Sequence, residues 1–340
     1  CWEVQIPGHT CFSYVPFDAL TLLQKKTLQG GRAHFDSYEA LYAQYLCDLE
    51  GQVDAIYQEC CGDWGKEAPS VDCASLWQHC TVVSLFEEGC VERGLSYLNG
   101  GADYRILSPH IGGLPDAVNS LYAIRKAVFE DHLVEFDELM GILERNWEGA
   151  ELLRRKILND RDKWGNNRAL PDEICREICA HCAARVNAAA NGRGGRFKAS
   201  LYTIDHNYFY GERLGASADG RKAGEILSRN VGATSTMDRN GVTALIASAC
   251  KLDFTEFPTG SVLDILLHPS AVAGGEGLRA FEQLILTYCA QGGYAIHGNV
   301  MDARVLRDAL PDIPLHASTQ MSIHNLAGVE AAAVMGITRA

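Results

Sequence analysis

Residues 1–14, CWEVQIPGHTCFSY, begin with a cysteine and a glutamate two positions apart, Cys1 and Glu3. In an extended segment, alternate side chains leave the backbone on the same side, so this thiol and this carboxylate can face one ligand together. The thiol can act as a nucleophile or lose a hydrogen atom, and the carboxylate can accept or donate a proton. Such a triplet also occurs in solvated loops, so the rest of the chain decides its meaning.

Four later segments of the chain, taken together with residues 1–14, indicate a family. They are LSYLNGGADYRIL at 95–107, DAVNSLYAIRKAV at 116–128, GASADGRKAGE at 215–225 and GGYAIHGNVMDARVL at 292–306. In order and spacing, the set resembles the catalytic domain of glycyl radical enzymes, the family that includes pyruvate formate-lyase. The last segment departs from the family pattern, which usually has Gln-Phe-Asn where this chain has His297-Gly298-Asn299.

The resemblance implies a helix-rich α/β fold, a portion of the ten-stranded α/β barrel of these enzymes, with the cysteine loop projecting into its centre. On the matching positions, Cys1 is the residue that forms the thiyl radical and Glu3 is the acid/base group. The implied reaction is the elimination of water or another leaving group from a small substrate. A carboxylate suits this reaction because a proton moves as the group departs.

The resemblance also implies how such a reaction starts. A partner activating enzyme, which uses S-adenosylmethionine and an iron–sulfur cluster, installs a glycyl radical. We expect no cofactor or metal ion bound to the chain itself. The other expected partners are a small-molecule substrate and a second copy of the chain in a homodimer.

The end of the chain departs from the family. The Arg-Val-x-Gly-Tyr motif that carries the radical is not found after the DARVLRDA segment at 302–309. Residues 311–340 instead resemble a strand and a helix of a collagenase-like peptidase. We therefore expect a partial catalytic domain at 1–310, without the glycyl radical domain, and an unrelated tail at 311–340. Such a fragment is expected to be catalytically inactive.

Three alternatives to the lyase stay open. A decarboxylase acting on an aromatic acid would also use the carboxylate of Glu3. A formate-lyase-type acyltransferase would have two adjacent cysteines, and Trp2 after Cys1 disfavours it. The third is a non-catalytic remnant that only associates with related chains.

The composition excludes other classes of function. With 43 acidic and 30 basic side chains the formal net charge is −13, which argues against nucleic-acid binding because that surface needs clustered Lys and Arg. No apolar stretch is long enough to cross a membrane. The 13 cysteines are odd in number and lack the regular spacing of small secreted domains, which favours a reducing cytoplasm.

One group of cysteines imitates a metal site. Cys175, Cys179 and Cys182 have the spacing of an iron–sulfur motif, but they share one face of a predicted helix, where packing in the core is the commoner role. His181 would add a zinc ligand, yet the usual loop-spaced pairs of ligands are absent. We predict that these cysteines are core residues.

Three further motifs imitate other sites. The pair Cys60-Cys61 lies at a predicted helix end, and Cys90-Val91-Glu92 repeats the opening triplet within a segment that resembles a helix of the family. The loop at 215–224, with Arg221 and Lys222, lacks the strand–loop–helix placement of a phosphate cradle. Structural roles are predicted for all three.

Periodicity and turn residues place the elements. Predicted helices are one that ends near Gly30-Gly31, one with an apolar stripe from Tyr42 to Cys60, and those at 73–88, 116–131, 136–146, 171–190, 242–250, 276–291 and 326–335. Predicted strands are 197–204, 261–267, 293–300 and 315–319, and predicted loops are 1–18, 92–115 and 211–239.

Overall fold

The computed structural model describes residues 8–61, 81–97, 100–189, 195–203, 206–235 and 237–300. Within these residues the chain alternates between β-strands and groups of helices. The strands are β1 (Thr10–Asp18), β2 (Tyr104–Gly112), β3 (Gly195–Phe197), β4 (Leu263–Leu267) and β5 (Ile296–Val300).

The strands are parallel and follow one another in chain order. β1 pairs with β2, which pairs with β3, and β4 pairs with β5. An isolated parallel bridge between Leu201 and Ser261 joins the two groups. Parallel neighbours need crossover connections, and helices supply them here.

The helices lie between the strands along the chain. They are α1 (Ala19–Leu22, continued by a π-helical turn at Leu23–Thr27), α2 (Tyr38–Cys61), α3 (Thr81–Ser84), α4 (Cys90–Arg93), α5 (Leu114–Ile124, continued by a π-helical turn at Arg125–Glu130), α6 (Phe136–Glu144), α7 (Glu151–Asn159), α8 (Ala169–Asn187), α9 (His206–Arg213), α10 (Val242–Ala249) and α11 (Gly274–Ala290). Among the described residues, no helix combines the length and the apolar character that crossing a membrane requires.

One face of the sheet packs against these helices. Leu107 and Ile111 of β2 and Ile265 of β4 belong to the same buried cluster as Leu41 and Leu49 of α2. Because successive side chains of a strand point to opposite faces, the alternate positions, such as Ser108 and His110 of β2, point away from the helices. We call the face turned away from the helices the inner face.

The ends of β1 and β2 meet closely. Asp18, at the end of β1, caps α1 by accepting a hydrogen bond at Oδ1 from the backbone nitrogen of Thr21, at 2.6 Å. Gly113, just before α5, has φ +60°, and a Cβ atom there would lie 2.1 Å from Asp18 Oδ2. Glycine therefore permits both the backbone conformation and the approach of the two βα junctions.

Most helices and two strands confirm the sequence predictions within a few residues. The confirmed elements are the helix ending before Gly30 and helices α2, α5, α6, α8, α10 and α11, together with β4, β5 and the long irregular segment from Leu214 to Gly241. Leu49, Val53 and Ile56 of the predicted apolar stripe of α2 are buried, whereas near the start of the helix Leu41 and Tyr45 are buried and the predicted Tyr42 and Leu46 only half-buried.

Two predicted loops were wrong. Residues 1–18 include β1, and residues 92–115 include β2. Both strands carry residues that signal loops: Pro16 in β1, and Pro109 with a terminal Gly112 in β2. Pairing with a neighbouring strand overrides these local preferences.

Two further predictions need adjustment. The strand predicted at 197–204 is β3, which continues only as bridges at Ser200 and Leu201. Between residues 81 and 93 the chain forms α3 and α4, with a turn between them, where one helix to residue 88 was predicted. The first part of that predicted helix, the strand at 315–319 and the helix at 326–335 lie outside the described residues.

Candidate active site

The predicted catalytic pair lies just before the described part of the chain. Cys1 and Glu3 are outside the described residues, which begin at Gly8, and β1 begins at Thr10. The distance between the thiol and the carboxylate is therefore untested, and their roles remain predictions. In sequence, their segment leads directly into β1, so the inner face of the sheet is the surface to consider.

An aromatic group covers part of the inner face. The His110 ring of β2 stacks on Tyr14 of β1, with centroids 4.6 Å apart and ring planes 7° from parallel. Phe12 and Tyr202 flank the same imidazole at 6.1 and 5.2 Å. His110 and Tyr202 are buried, so the accessible part of this aromatic group is Tyr14, with Phe12 half-buried beside it.

His110 itself is fully buried, and neither ring nitrogen has a hydrogen-bond partner within the described residues. Burial, with a smaller effect from the nearby His206, lowers the pKa of His110 to about 3. The ring is therefore neutral near pH 7, with one nitrogen able to donate and the other able to accept a hydrogen bond.

Hydroxyl groups hold the middle of the sheet together. Ser108 Oγ lies 2.8 Å from Ser200 Oγ and 2.7 Å from Thr259 Oγ1. Thr259 also donates to the carbonyl oxygen of Ala199 at 2.6 Å. These side chains are buried, so the group fixes β2 against the segment after β3 and the turn before β4.

A second polar chain crosses to β4 and β5. Asp264 Oδ1 lies 2.9 Å from His297 Nδ1, and Asn230 Nδ2 donates to Asp264 Oδ2 at 2.5 Å. Asn230 Oδ1 accepts from the backbone nitrogen of Thr203 at 2.8 Å, and the backbone nitrogen of Asn230 donates to Thr203 Oγ1 at 3.0 Å. Asp264 and His297 are opposite each other in the parallel ladder.

The loop at 215–224 is held from inside by Arg221. Its guanidinium group donates to the backbone carbonyl oxygens of Gly215, Lys222 and Glu225, and the side chain is almost fully buried. These donors serve the loop itself, which supports the predicted structural role over a phosphate cradle.

Asp18 and Asp116 are buried carboxyl groups. Asp116 accepts hydrogen bonds from the backbone nitrogen and hydroxyl group of Ser228. Burial, and secondly the charge of Asp219, raises the pKa of Asp116 to about 7. Burial likewise raises the pKa of Asp18 to about 6. Asp18 ends β1, and Asp116 lies in the first turn of α5.

The cysteine motif at 175–182 lies in the core. Cys175, Cys179 and Cys182 are buried on α8 among apolar side chains of the main cluster. Burial raises the pKa of the Cys182 thiol far above its usual range. His181 lies on the exposed side, 2.8 Å from Glu50. The predicted packing role of the three cysteines is confirmed.

The other cysteine motifs also lie in packed positions or at a helix end. Cys90 is buried in α4 against Cys11 and Ala102, and burial raises its pKa. Cys60 and Cys61 are the last two residues of α2. Within the described residues, no group of three His, Cys, Asp or Glu side chains is placed to hold a metal ion.

Comparison with known families decides the class. A family model described as Pyruvate formate lyase-like matches residues 73–211, and one described as Glycine radical matches residues 227–312. The chain belongs to the glycyl radical enzyme family. The Glycine radical match covers β4 and β5, which lie within the predicted catalytic domain at 1–310.

The relatives of this chain include enzymes named for different reactions. The chain is 28% identical over 299 residues to the trans-4-hydroxy-L-proline dehydratase of Clostridioides difficile, covering 86% of this chain and 36% of the relative. It is 31% identical over 250 residues to the indoleacetate decarboxylase of Tractidigestivibacter scatoligenes, covering 66% of this chain and 28% of the relative.

A solved structure gives the architecture. The B12-independent glycerol dehydratase of Clostridium butyricum superposes with a TM-score of 0.78 at 27% identity, over 92% of this chain and 40% of that one. The predicted fold, a portion of the α/β barrel of glycyl radical enzymes, is confirmed. The chain thus spans well under half the length of these relatives.

The boundary at residue 310, the tail at 311–340 and the missing radical motif remain predictions, since residues 301–340 lie outside the described residues. Three polar residues on or next to the inner face, His110, Asn230 and Asp264, are not predicted from the sequence. For His110 and Asp264 the signal is a polar residue within a buried strand, whereas Asn230 lies in an irregular segment; only the register of the sheet shows which of them meet.

Proposed function

We propose that this chain is part of a glycyl radical lyase that eliminates water, or another leaving group, from a small polar substrate. The observation that carries the proposal is the Cys-x-Glu segment at 1–3, which leads into a parallel sheet with hydrogen-bonding groups on its inner face. Similarity to the two dehydratases supports it.

The proposed roles follow the chemistry of elimination. A glycyl radical, installed by an activating enzyme that uses S-adenosylmethionine, would supply hydrogen-atom abstraction. Cys1 passes the hydrogen atom between that radical and the substrate carbon. Glu3 accepts the proton of the hydroxyl group or amine beside the reacting carbon, which becomes a carbonyl or an imine as the leaving group departs. The barrel wall excludes water from the reacting carbon.

A second candidate is the decarboxylation of an aromatic acid. The ring of Tyr14 is exposed and is held by stacking on the buried His110, so it offers a surface on which an aromatic ring can lie. Similarity to the indoleacetate decarboxylase supports this candidate. Acyl transfer is disfavoured because Trp2, and not a second cysteine, follows Cys1.

The same proposal includes the surroundings of the enzyme. We place it in the cytoplasm as a homodimer whose activating enzyme is a separate partner. Residues 1–340 alone are proposed to be inactive, because the motif that carries the radical glycine does not occur in them. Alone, they would behave as the non-catalytic remnant described above. Activation of this chain by itself should give no radical signal by electron paramagnetic resonance.

The test uses a full-length protein that contains this chain, activated without oxygen. It is offered trans-4-hydroxy-L-proline, glycerol and indoleacetate in separate reactions. A dehydrated product from either of the first two supports the lyase, whereas carbon dioxide and a methylated indole support the decarboxylase. A protein that holds a glycyl radical and converts none of the three contradicts both candidates.

Two variants test the roles of the cysteine segment. Cys1→Ser should keep the radical signal and lose all product, because only the thiol is removed. Glu3→Gln should retain hydrogen exchange between substrate and solvent while elimination falls about 100-fold or more. Full product formation by Cys1→Ser would show that the assignment of the thiol is wrong.

A further inference from the structure

The register of β4 and β5 brings a carboxylate and an imidazole together on the inner face. Asp264 and His297 are opposite each other in the ladder, with Oδ1 and Nδ1 2.9 Å apart. Their side chains are only 8% and 15% exposed. An acceptor at this distance fixes the proton on Nδ1, which leaves Nε2 as the other working atom of the ring.

Both residues point away from the helices. Leu263 and Ile265, which flank Asp264, belong to the main apolar cluster, and Ile296 packs against it. A Cβ atom on Gly298 would lie 3.0 Å from the ring of Phe281 in α11. Because side chains alternate along a strand, His297 therefore lies on the inner face.

The carboxylate is held at both oxygens. Asn230 donates to Asp264 Oδ2, and Asn230 is itself fixed by two hydrogen bonds with Thr203. Asn230 has φ +46°, a left-handed conformation that asparagine tolerates. Within the described residues no group bonds to His297 Nε2, so the network orients the imidazole and leaves that nitrogen available.

A purely structural pair is the alternative. Burying two ionisable groups costs free energy that their attraction often fails to recover, and apolar residues of similar volume would pack a barrel wall at least as well. A carboxylate that fixes Nδ1 while Nε2 faces a reaction space is, in contrast, the arrangement that orients a histidine for proton transfer.

We propose that His297, oriented by Asp264, is a second proton-transfer group of this enzyme. The role rests on the proposed lyase function. As the bond between carbon and the leaving hydroxyl group breaks, the imidazolium form of His297 gives that oxygen the proton of Nε2 and water departs, while the proton on Nδ1 stays with the neutral ring. Glu3 takes a proton from the neighbouring hydroxyl group or amine, which becomes a carbonyl or an imine, and water returns this proton to the imidazole, so both groups end as they began.

The test compares variants of the activated full-length protein at equal glycyl radical content. With glycerol and trans-4-hydroxy-L-proline as probes, His297→Ala should lower elimination about 100-fold while hydrogen exchange at the substrate carbon continues. Added imidazole should restore at least part of the loss, because it can occupy the vacated space and carry the proton. Asp264→Asn should also lower elimination.

The matched control is His268→Ala, since His268 follows β4 but is exposed and contacts Ser270. It should eliminate at the wild-type rate. Unchanged elimination by His297→Ala, or a loss that imidazole does not restore, would overturn the role of His297 and leave the lyase proposal intact. A wild-type protein that holds the radical but eliminates neither probe would instead overturn the lyase proposal, and this role with it.

A second measurement examines the pair without turnover. In nitrogen-15 spectra of the wild-type protein, the neutral form of the His297 ring should carry its proton on Nδ1, and Asp264→Ala should abolish this preference. A wild-type ring with its proton on Nε2 alone would contradict the proposed orientation whatever the activity.

Discussion

The imidazole of His110 lies face to face with the ring of Tyr14, at 4.6 Å between centroids, and neither of its nitrogens has a partner within the described residues. A buried polar ring without hydrogen bonds destabilises the fold, because its nitrogens lose the water they bind in the unfolded chain.

His110→Phe should stabilise the protein by about 1–3 kcal/mol, because it keeps a flat ring on Tyr14 and removes the unpaired nitrogens. The gain should be larger in acid. The pKa of folded His110 is lowered to about 3, whereas the unfolded residue takes up its proton near pH 6.5, so wild-type stability falls as the pH drops through this window.

Urea unfolding at pH 5 and pH 7.5 measures this effect. The exposed His132→Gln is the control and should change the stability little at either pH. A destabilised His110→Phe would mean that the ring nitrogens have a partner in the folded protein.

Asp116 should produce the opposite pH dependence. Its pKa is raised to about 7 in the folded protein, while the unfolded residue releases its proton near pH 4. The folded state therefore binds more protons between these values, and stability falls as the pH rises through them. Asp116→Asn should gain stability relative to wild type between pH 4.5 and pH 8, as followed by urea unfolding.

The exposed Asp36→Asn is the control for this variant and should show no such gain. If Asp116→Asn and the wild type keep the same difference in stability at both pH values, the raised pKa is refuted.

Gly113→Ala should be strongly destabilising. Alanine there would adopt an unfavourable positive φ, and its Cβ would meet Asp18 Oδ2 at 2.1 Å. Gly149→Ala is the matched control, since Gly149 has φ +77° with no atom within 4 Å of the added Cβ. The control should cost about 1–2 kcal/mol, and Gly113→Ala clearly more, measured by thermal unfolding. Equal costs would show that the contact with Asp18 is unimportant.

The cysteines of α8 should resist alkylation in the native protein. Cys175, Cys179 and Cys182 are buried, so iodoacetamide can reach them only after unfolding. Cys47 and Cys289 are exposed and serve as internal controls that should react within the same sample. Peptide mass spectrometry reads out each position. Rapid labelling of Cys182 would contradict a core role.

The sequence alone predicts the elements whose pattern is local. Helix α8 shows a clear helical repeat, and β4 is a short apolar run. Strands β1 and β2 escape detection because Pro16 and Pro109 contradict the local pattern. Their identity depends on pairing across about ninety residues of chain, a relationship that no local window contains.

Only part of the candidate site is likewise predictable from the sequence. The opening Cys1 and Glu3 are neighbours in sequence, so their motif is visible from the residues alone. Asp264 and His297 are 33 residues apart and become a pair only through the register of two parallel strands. Asn230 joins them from an irregular loop, where no periodicity indicates which way a side chain points.

The isolated bridge between Leu201 and Ser261 is the junction between the two groups of strands in the barrel wall. On either side the strands are tied by regular ladders, whereas at this line the backbone is joined more sparsely. Asn230 lies across this junction and forms hydrogen bonds with Thr203 on one side and with Asp264 on the other. A change in the angle between the two groups of strands would therefore also change the orientation of the His297 ring, because Asn230 and Asp264 connect the two groups.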